Sequence, residues 1–432
     1  MPQKILERYP VLKTVPELAA YKALLLDLGV DCGDNLLDQM PKIARMKTKH
    51  RIKKHRVMGG RLIDASTDPS IIPSEVILER NGMRTLTKVS YRSDSPLRMV
   101  VDGGNLYLVD IIADERLSVN VDPVRERAYS FLKIPSGRLA REETRLGDYV
   151  QILGMDRIGI LAYSGCQHWL NGTMCKFCDE NPKRPDEMSG MPSLNTLVDF
   201  NGNTNKWWEH HGPAYLDGIG YSFRVLLDTE KIEPHEHLQL MAGNLFDTGT
   251  EWEICLQVGE RLNSVRPLSA MDSYLNIVPP SDERRKGYLE RAKELGFRNI
   301  AFNLEVIGDR TFQDVCPGKA HLFGYQGIVD SLKDSVNYFG YGNVRSNFVL
   351  GAQPVDELLE GIRELAGHGI VADYSVFVPK KGTPWNKRIS PTMETIVHFT
   401  RDLADIYRQN GFRGVYCGLS SRSNILHEVL DG

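Results

Sequence analysis

From about Leu153 onward the chain alternates short, almost wholly apolar runs with longer stretches in which apolar residues recur every three or four positions. That rhythm predicts strands joined by crossover helices, and hence a parallel sheet. The strand candidates are Ile158–Tyr163, Leu238–Gly243, Tyr274–Pro279, Asn299–Glu305, Val344–Gly351 and Val371–Pro379. Between them a helix is expected from Asp282 to Leu295, with Ser281 placed to cap it, Leu289, Ala292 and Leu295 on one face, and Gly296 to stop it. Another opens at Pro354, carries the stripe Leu358, Ile362, Leu365, and ends near Gly367. The series predicts an α/β fold, a partial (β/α)6 TIM-like barrel over 151–390. A C-terminal helix-strand-helix extension over 391–432, packing on the barrel, is expected from an amphipathic stretch carrying Ile396, Leu403 and Ile406 and then the apolar run Gly414–Leu419.

The first 150 residues have another texture. Helical periodicity reaches about Arg56, and then alternating segments such as Leu106–Ile112, with turn signals at Arg80–Met83 and Val101–Asn105, predict hairpins. An N-terminal α+β domain is expected there.

Composition narrows the setting. With 432 residues and a formal net charge of -3, the chain has no global attraction for nucleic acid or anionic membranes. The N-terminal residues do not read as a signal peptide and no run is long enough to span a bilayer, so a soluble protein of the cytoplasm is expected. The basic stretch Lys47–Arg56 reads as the solvated face of a helix rather than a phosphate or RNA grip.

Candidate chemistry concentrates in "SGCQHWLNGTMCKFCDENP", Ser164–Pro182, which holds three of the seven cysteines, Cys166, Cys175 and Cys178. In a reducing compartment such density indicates a metal site rather than disulfides. Two readings stand. Zinc takes four nitrogen or sulfur ligands, and Cys166, His168, Cys175 and Cys178 supply four. An iron-sulfur cluster held by three thiolates keeps one iron free of protein. Position favours the cluster, because the cysteines follow the first barrel strand directly, at the end where such barrels carry their active sites. Cys255 reads as a buried hydrophobe, and Cys32, Cys316 and Cys417 show no paired spacing.

Three cysteines after the first strand, closing as Cys175-Lys-Phe-Cys178 and followed by a six-strand β/α series, resemble the radical S-adenosylmethionine (radical SAM) superfamily. The likeness runs from about Asp156 to Trp385, and Phe302–Val306, Asn347–Gly351 and Phe377–Pro384 resemble strand-end segments of its biotin-synthase-like branch. Two departures stand out. Eight residues rather than three separate the first two cysteines, with Asn171-Gly172 suited to turn the extra chain outward, and Met241–Asp247 replaces the family's two glycines and glutamate.

The resemblance implies a four-iron, four-sulfur (4Fe-4S) cluster on Cys166, Cys175 and Cys178, with S-adenosylmethionine as second cofactor. It implies cleavage to a 5'-deoxyadenosyl radical that removes hydrogen from a small-molecule substrate, and an electron donor such as flavodoxin or ferredoxin. By the same carry-over, Gly243 and Asn244 receive the methionine amino group, and Asn303 and Glu305 point toward the ribose or methionine end. Phe177, Leu350 and Gly351 pack the adenine, and Arg345 pairs either with a substrate anion or with Glu305. Transfer of an aminocarboxypropyl group from the same cofactor, or a zinc-stabilised binding protein, are the alternatives. The insert Asp179–Glu236, with Trp207, Trp208, His210 and His211, reads as a cover for the barrel.

Overall fold

The computed structural model describes residues 1–32, 56–58, 61–63, 75–92, 94–124, 128–134, 145–180, 194–199, 202–204, 206–230, 237–380 and 382–431. The chain forms two compact units. One comprises Arg127–Ile389 with Ile406–Arg413, and the other Met1–Glu126 with Ser390–Asp405 and Gly414–Gly432.

In the first, six parallel strands stand side by side in chain order: β1 (Arg157–Leu161), β2 (His237–Met241), β3 (Asp272–Asn276), β4 (Asn299–Ala301), β5 (Val344–Leu350) and β6 (Ile370–Val376). Order along the sheet equals order along the chain, as successive β-helix-β units require. A short antiparallel strand, Gln151–Leu153, covers the free edge of β1. This is the expected partial (β/α)6 barrel, with the expected strands each found within a residue or two at the start and ending sooner.

The strands sort their side chains by face. Ile158, Ile160, Leu238, Leu240, Leu275 and Phe348 are fully buried on the side packed by helices. The alternate residues, including Gln239, Asn276, Asn303 and Asn347, are polar and bond one another across strands on the inner side. Predicted helix ends hold closely: Asp282–Glu294 has acids in its first turn and Arg291 and Lys293 in its last, complementing the helix dipole, although Ser281 makes no capping bond. The helix Trp207–Thr229 packs on Thr248–Asn263, where Trp208 Nε1 donates to Gln257 Oε1 at 2.8 Å, so Trp208 of the insert serves as cover.

The second unit is built on a seven-stranded, mostly antiparallel sheet in which hairpins Glu75–Arg80/Met83–Lys88 and Leu97–Asp102/Asn105–Asp110 turn where the sequence signals placed them. Helix Glu17–Leu28 lies on it, and its fully buried Lys22 pairs with Glu428 at 2.9 Å from helix Leu426–Asp431. The backbone N–H of Lys88 donates to Arg422 O at 2.9 Å. The segments Ser390–Asp405 and Gly414–Gly432 belong to this unit and Ile406–Arg413 to the barrel unit, whereas the sequence division set 391–432 apart as one piece packing on the barrel. The strand expected over Gly414–Leu419 does not form. Cys417 is left-handed (φ 44°), a 3-10 turn spans Gly418–Ser420, and Gly418 lies so close to the His427 ring that a Cβ would meet it at 2.3 Å. The basic stretch Lys47–Arg56, apart from Arg56 in a short strand, lies outside the described residues. Among the described residues no helix is long and apolar enough to cross a membrane.

Candidate active site

The thiol loop leaves the C-terminal end of β1 and closes on itself. Cys166 N donates to Glu180 O (3.1 Å), Cys178 N to Cys175 O (3.1 Å), and Thr173 N to His168 O (2.9 Å). The eight residues between Cys166 and Cys175 include a 3-10 turn, Gln167–Trp169, and a tight bend at Gly172, whose φ of 77° suits glycine and whose Cβ position faces open space. The loop therefore bulges outward, as Asn171-Gly172 predicts. Gln167 anchors it: its N–H reaches Asn244 O (2.8 Å), its Oε1 accepts from Phe246 N (2.7 Å), and its Nε2 donates to Gly202 O (2.6 Å). Two further backbone ties, Lys176 N to Val315 O and Trp385 N to Lys176 O, both 3.0 Å, clamp the stretch between Cys175 and Cys178.

All three thiols are free and partly buried. Burial, then the neighbouring Cys175, pushes Cys166 up to about 12, and the same two causes raise Cys178. Cys175 is lowered instead, first through a hydrogen bond from the buried Cys316 thiol. Three partly buried sulfurs that repel one another as thiolates are suited to a polynuclear cation whose charge displaces their protons. Cys316 is a fourth thiol at the site that sequence spacing did not reveal, because it arrives from a helix junction far along the chain.

His168 is packed within the loop. Its ring is buried, 5.2 Å from that of Phe246, and Nδ1 lies 3.3 Å from Thr173 Oγ1. Burial and then the nearby Lys319 push it down to about 4, so it is neutral at physiological pH. Among the described residues no group of His, Cys, Asp and Glu side chains converges as a single metal ion requires. A tetrahedral zinc needs its sulfurs about 2.3 Å from one point. Cluster thiolates each take a separate iron and need no such convergence.

Opposite the loop, β4 is prolonged by Glu305, which bonds backbone to backbone with Asn347 and Val349 of β5 (3.0 and 2.9 Å). Its φ of 70° is a conformation that few non-glycine residues adopt, and it turns the carboxylate onto Lys319, whose ammonium donates to Glu305 Oε1 (2.9 Å) and to Asn303 O (3.0 Å). Burial opposes the charge on Lys319, but Glu305, Cys175 and Cys316 outweigh it and raise its pKa. Lys319 is the second residue the sequence did not expose. It sits in the first turn of a short helix, Pro317–Phe323, where a lysine has nothing to mark it.

The other candidates divide. Gly243 approaches Gly165 so closely that a Cβ would lie 1.7 Å from its carbonyl oxygen, so only glycine fits. Beside it the Asn244 Nδ2 is buried without an acceptor, an orphaned donor of the kind that a ligand carboxylate completes. Phe177 packs toward Trp385, ring centres 6.3 Å apart. Asn303 is held by Asn276 and by the backbone of Asn347. Leu350 is fully buried on the helix-facing side, and Gly351 turns the chain after β5 with φ 99°. Arg345 is gripped by both oxygens of Asp373 at 2.7 Å and touches the Tyr407 hydroxyl at 3.3 Å. Its partner is thus Asp373 and not Glu305.

With this geometry in place, the chain can be set beside known proteins. No family model matches the chain. The bacteriochlorophyllide c C-7(1)-hydroxylase of Chlorobaculum limnaeum is 29% identical over 133 residues, 31% of this chain and 32% of that protein, so the chain spans about a third of that relative. Among solved structures, coproporphyrinogen III oxidase (HemN) of Escherichia coli, a radical SAM enzyme, aligns with 10% identity over 63% of this chain and 57% of its own, TM-score 0.37. A radical SAM methyltransferase of Sphaerobacter thermophilus aligns with 11% identity over 74% and 76%, also at 0.37. The TM-scores mark that likeness as distant, and the chemistry assigned below rests on the chain's own residues.

Proposed function

We propose that this chain is a radical SAM enzyme that binds a 4Fe-4S cluster through Cys166, Cys175 and Cys178 and acts on a small molecule. The observation that carries the reading is the placement of three free thiols in one loop at the C-terminal end of β1, facing the Lys319–Glu305 pair at the end of β4. When bound, the cluster supplies the electron that cleaves S-adenosylmethionine.

The protein's share is binding and orientation. Asn244 Nδ2 offers its unspent N–H to the methionine carboxylate, and the close contact of Gly243 with Gly165 keeps that loop against the thiols. Glu305 accepts hydrogen bonds from hydroxyls or an ammonium group, and Lys319 holds its carboxylate in place while balancing the charge of the thiolates. Phe177 and Trp385 provide aromatic surface beside the loop. The one-electron donor is a ferredoxin or flavodoxin in this reading.

Metal analysis after strictly anaerobic purification tests the ligand set. The proposal expects about four irons with matching sulfide per chain. One zinc per chain and no iron would overturn it in favour of a zinc-stabilised protein.

A further inference from the structure

Two side-chain amides inside the barrel have their orientation dictated by partners that can only donate. The backbone N–H of Asn347 donates to Asn303 Oδ1 at 3.1 Å, which fixes the Asn303 oxygen toward β5 and its nitrogen toward β3. That nitrogen donates to Asn276 Oδ1 at 3.2 Å, so the Asn276 Nδ2 is turned away from the ladder. On β2 the guanidinium of Arg157 donates to Gln239 Oε1 at 3.0 Å. Arginine has no acceptor, so Gln239 Nε2 is likewise turned away from its partner.

The two nitrogens belong to neighbouring strands. Gln239 pairs in register with Tyr274, two residues before Asn276, and both side chains fall on the inner face. Neither nitrogen meets an acceptor among the described residues, and neither is sealed from solvent. A pair of donors without acceptors, on a rigid sheet with Asn276 at the last residue of β3 and Gln239 two residues before the end of β2, is a preformed receptor for oxygen. Arg345, the other cation on this inner face, has its charge matched by Asp373, so the donors and not a free cation set the preference.

We infer that Gln239 Nε2 and Asn276 Nδ2 form the substrate anchor and bind the two oxygens of a carboxylate on the small-molecule substrate. This rests on the proposed function for the location of the reaction chamber. The match is one of number and polarity: a carboxylate brings only acceptors, and two adjacent strands offer two donors. Arg157 behind Gln239 polarises that amide toward stronger donation.

The test exploits the same one-way bonds. Asn276→Asp and Gln239→Glu each keep the internal hydrogen bond, because Asn303 Nδ2 and Arg157 donate equally well to a carboxylate, but each replaces the outward donor with an acceptor. Binding of propionate to the full-length reconstituted protein, saturated with S-adenosylmethionine, is measured by ligand-observed NMR, with propan-1-ol as the uncharged control and iron content and melting temperature as checks on folding. The inference expects propionate to bind at least tenfold more tightly than propan-1-ol, and either folded variant to weaken propionate at least tenfold. Undiminished propionate binding in a folded variant overturns it, as does absence of propionate binding to the unaltered protein. Markedly tighter propionate binding when S-adenosylmethionine is left out overturns it too, since the donors would then serve the cofactor's carboxylate. A protein that makes no 5'-deoxyadenosine yet binds propionate through these amides refutes the proposed function and leaves the anchor standing.

Discussion

The Lys319 ammonium lies 2.9 Å from Glu305 Oε1 and 3.0 Å from the Asn303 carbonyl oxygen, and so ties the helix Pro317–Phe323, which carries its charge toward the thiols, to the end of β4. Glu305 keeps an unfavourable backbone conformation while making this bond. In the proposed function the pair positions a carboxylate toward S-adenosylmethionine. Lys319→Met is expected to lower S-adenosylmethionine binding by roughly 10- to 100-fold, the usual cost of losing a residue that orients a ligand group. Lys319→Arg should recover part of it. Equilibrium binding to the reconstituted protein checks both.

Metal retention separates the loop residues. Alanine at Cys166, Cys175 or Cys178 should each remove most of the iron, whereas His168→Ala and Cys316→Ala should keep it. His168 is a packed, neutral ring and Cys316 a hydrogen-bond donor to Cys175. Iron and sulfide content per chain, with the absorbance of the reconstituted proteins, is the measurement.

Glu251 gives a pH prediction. It is fully buried at the start of helix Thr248–Asn263, its Oε2 accepts from Leu245 N at 2.7 Å, and burial pushes its carboxyl up from 4.5 to about 8. The folded state thus holds a proton that the unfolded state releases above the ordinary value. Stability from this group is complete below about pH 4.5 and declines as pH rises through about 8. Glu251→Gln keeps the bond to Leu245 and removes the titration. Its unfolding free energy should match that of the unaltered protein near pH 5 and exceed it near pH 9, by an amount on the order of a few kcal/mol.

The other unit has its own test. Lys22 is fully buried and bonds Glu428 at 2.9 Å, Thr85 at 3.3 Å and the Ser421 carbonyl. Lys22→Ala leaves Glu428 buried without its counter-charge and should cost about 3–5 kcal/mol in denaturant unfolding.

How much of this was readable in the chain follows from how local each feature is. The barrel strands announce themselves as apolar runs because both the periodicity and the helix-facing burial reside in consecutive residues such as Ile158 and Ile160. The thiol loop is likewise written within thirteen residues. Lys319, Cys316 and the Arg345–Asp373 pair were not legible, since each acquires its role only when segments distant in sequence meet. The run Gly414–Leu419 misleads for the opposite reason. Tyr416 and Cys417 are buried, but close packing of Gly418 on His427 and the left-handed Cys417 bend the run out of a strand.

The most direct measurement is nucleoside analysis by mass spectrometry after the anaerobically reconstituted protein is mixed with dithionite and S-adenosylmethionine. The account predicts 5'-deoxyadenosine and methionine, lost when any of Cys166, Cys175 or Cys178 is changed to alanine. An intact iron-sulfur chromophore that yields no 5'-deoxyadenosine, or yields methylthioadenosine in its place, would contradict it.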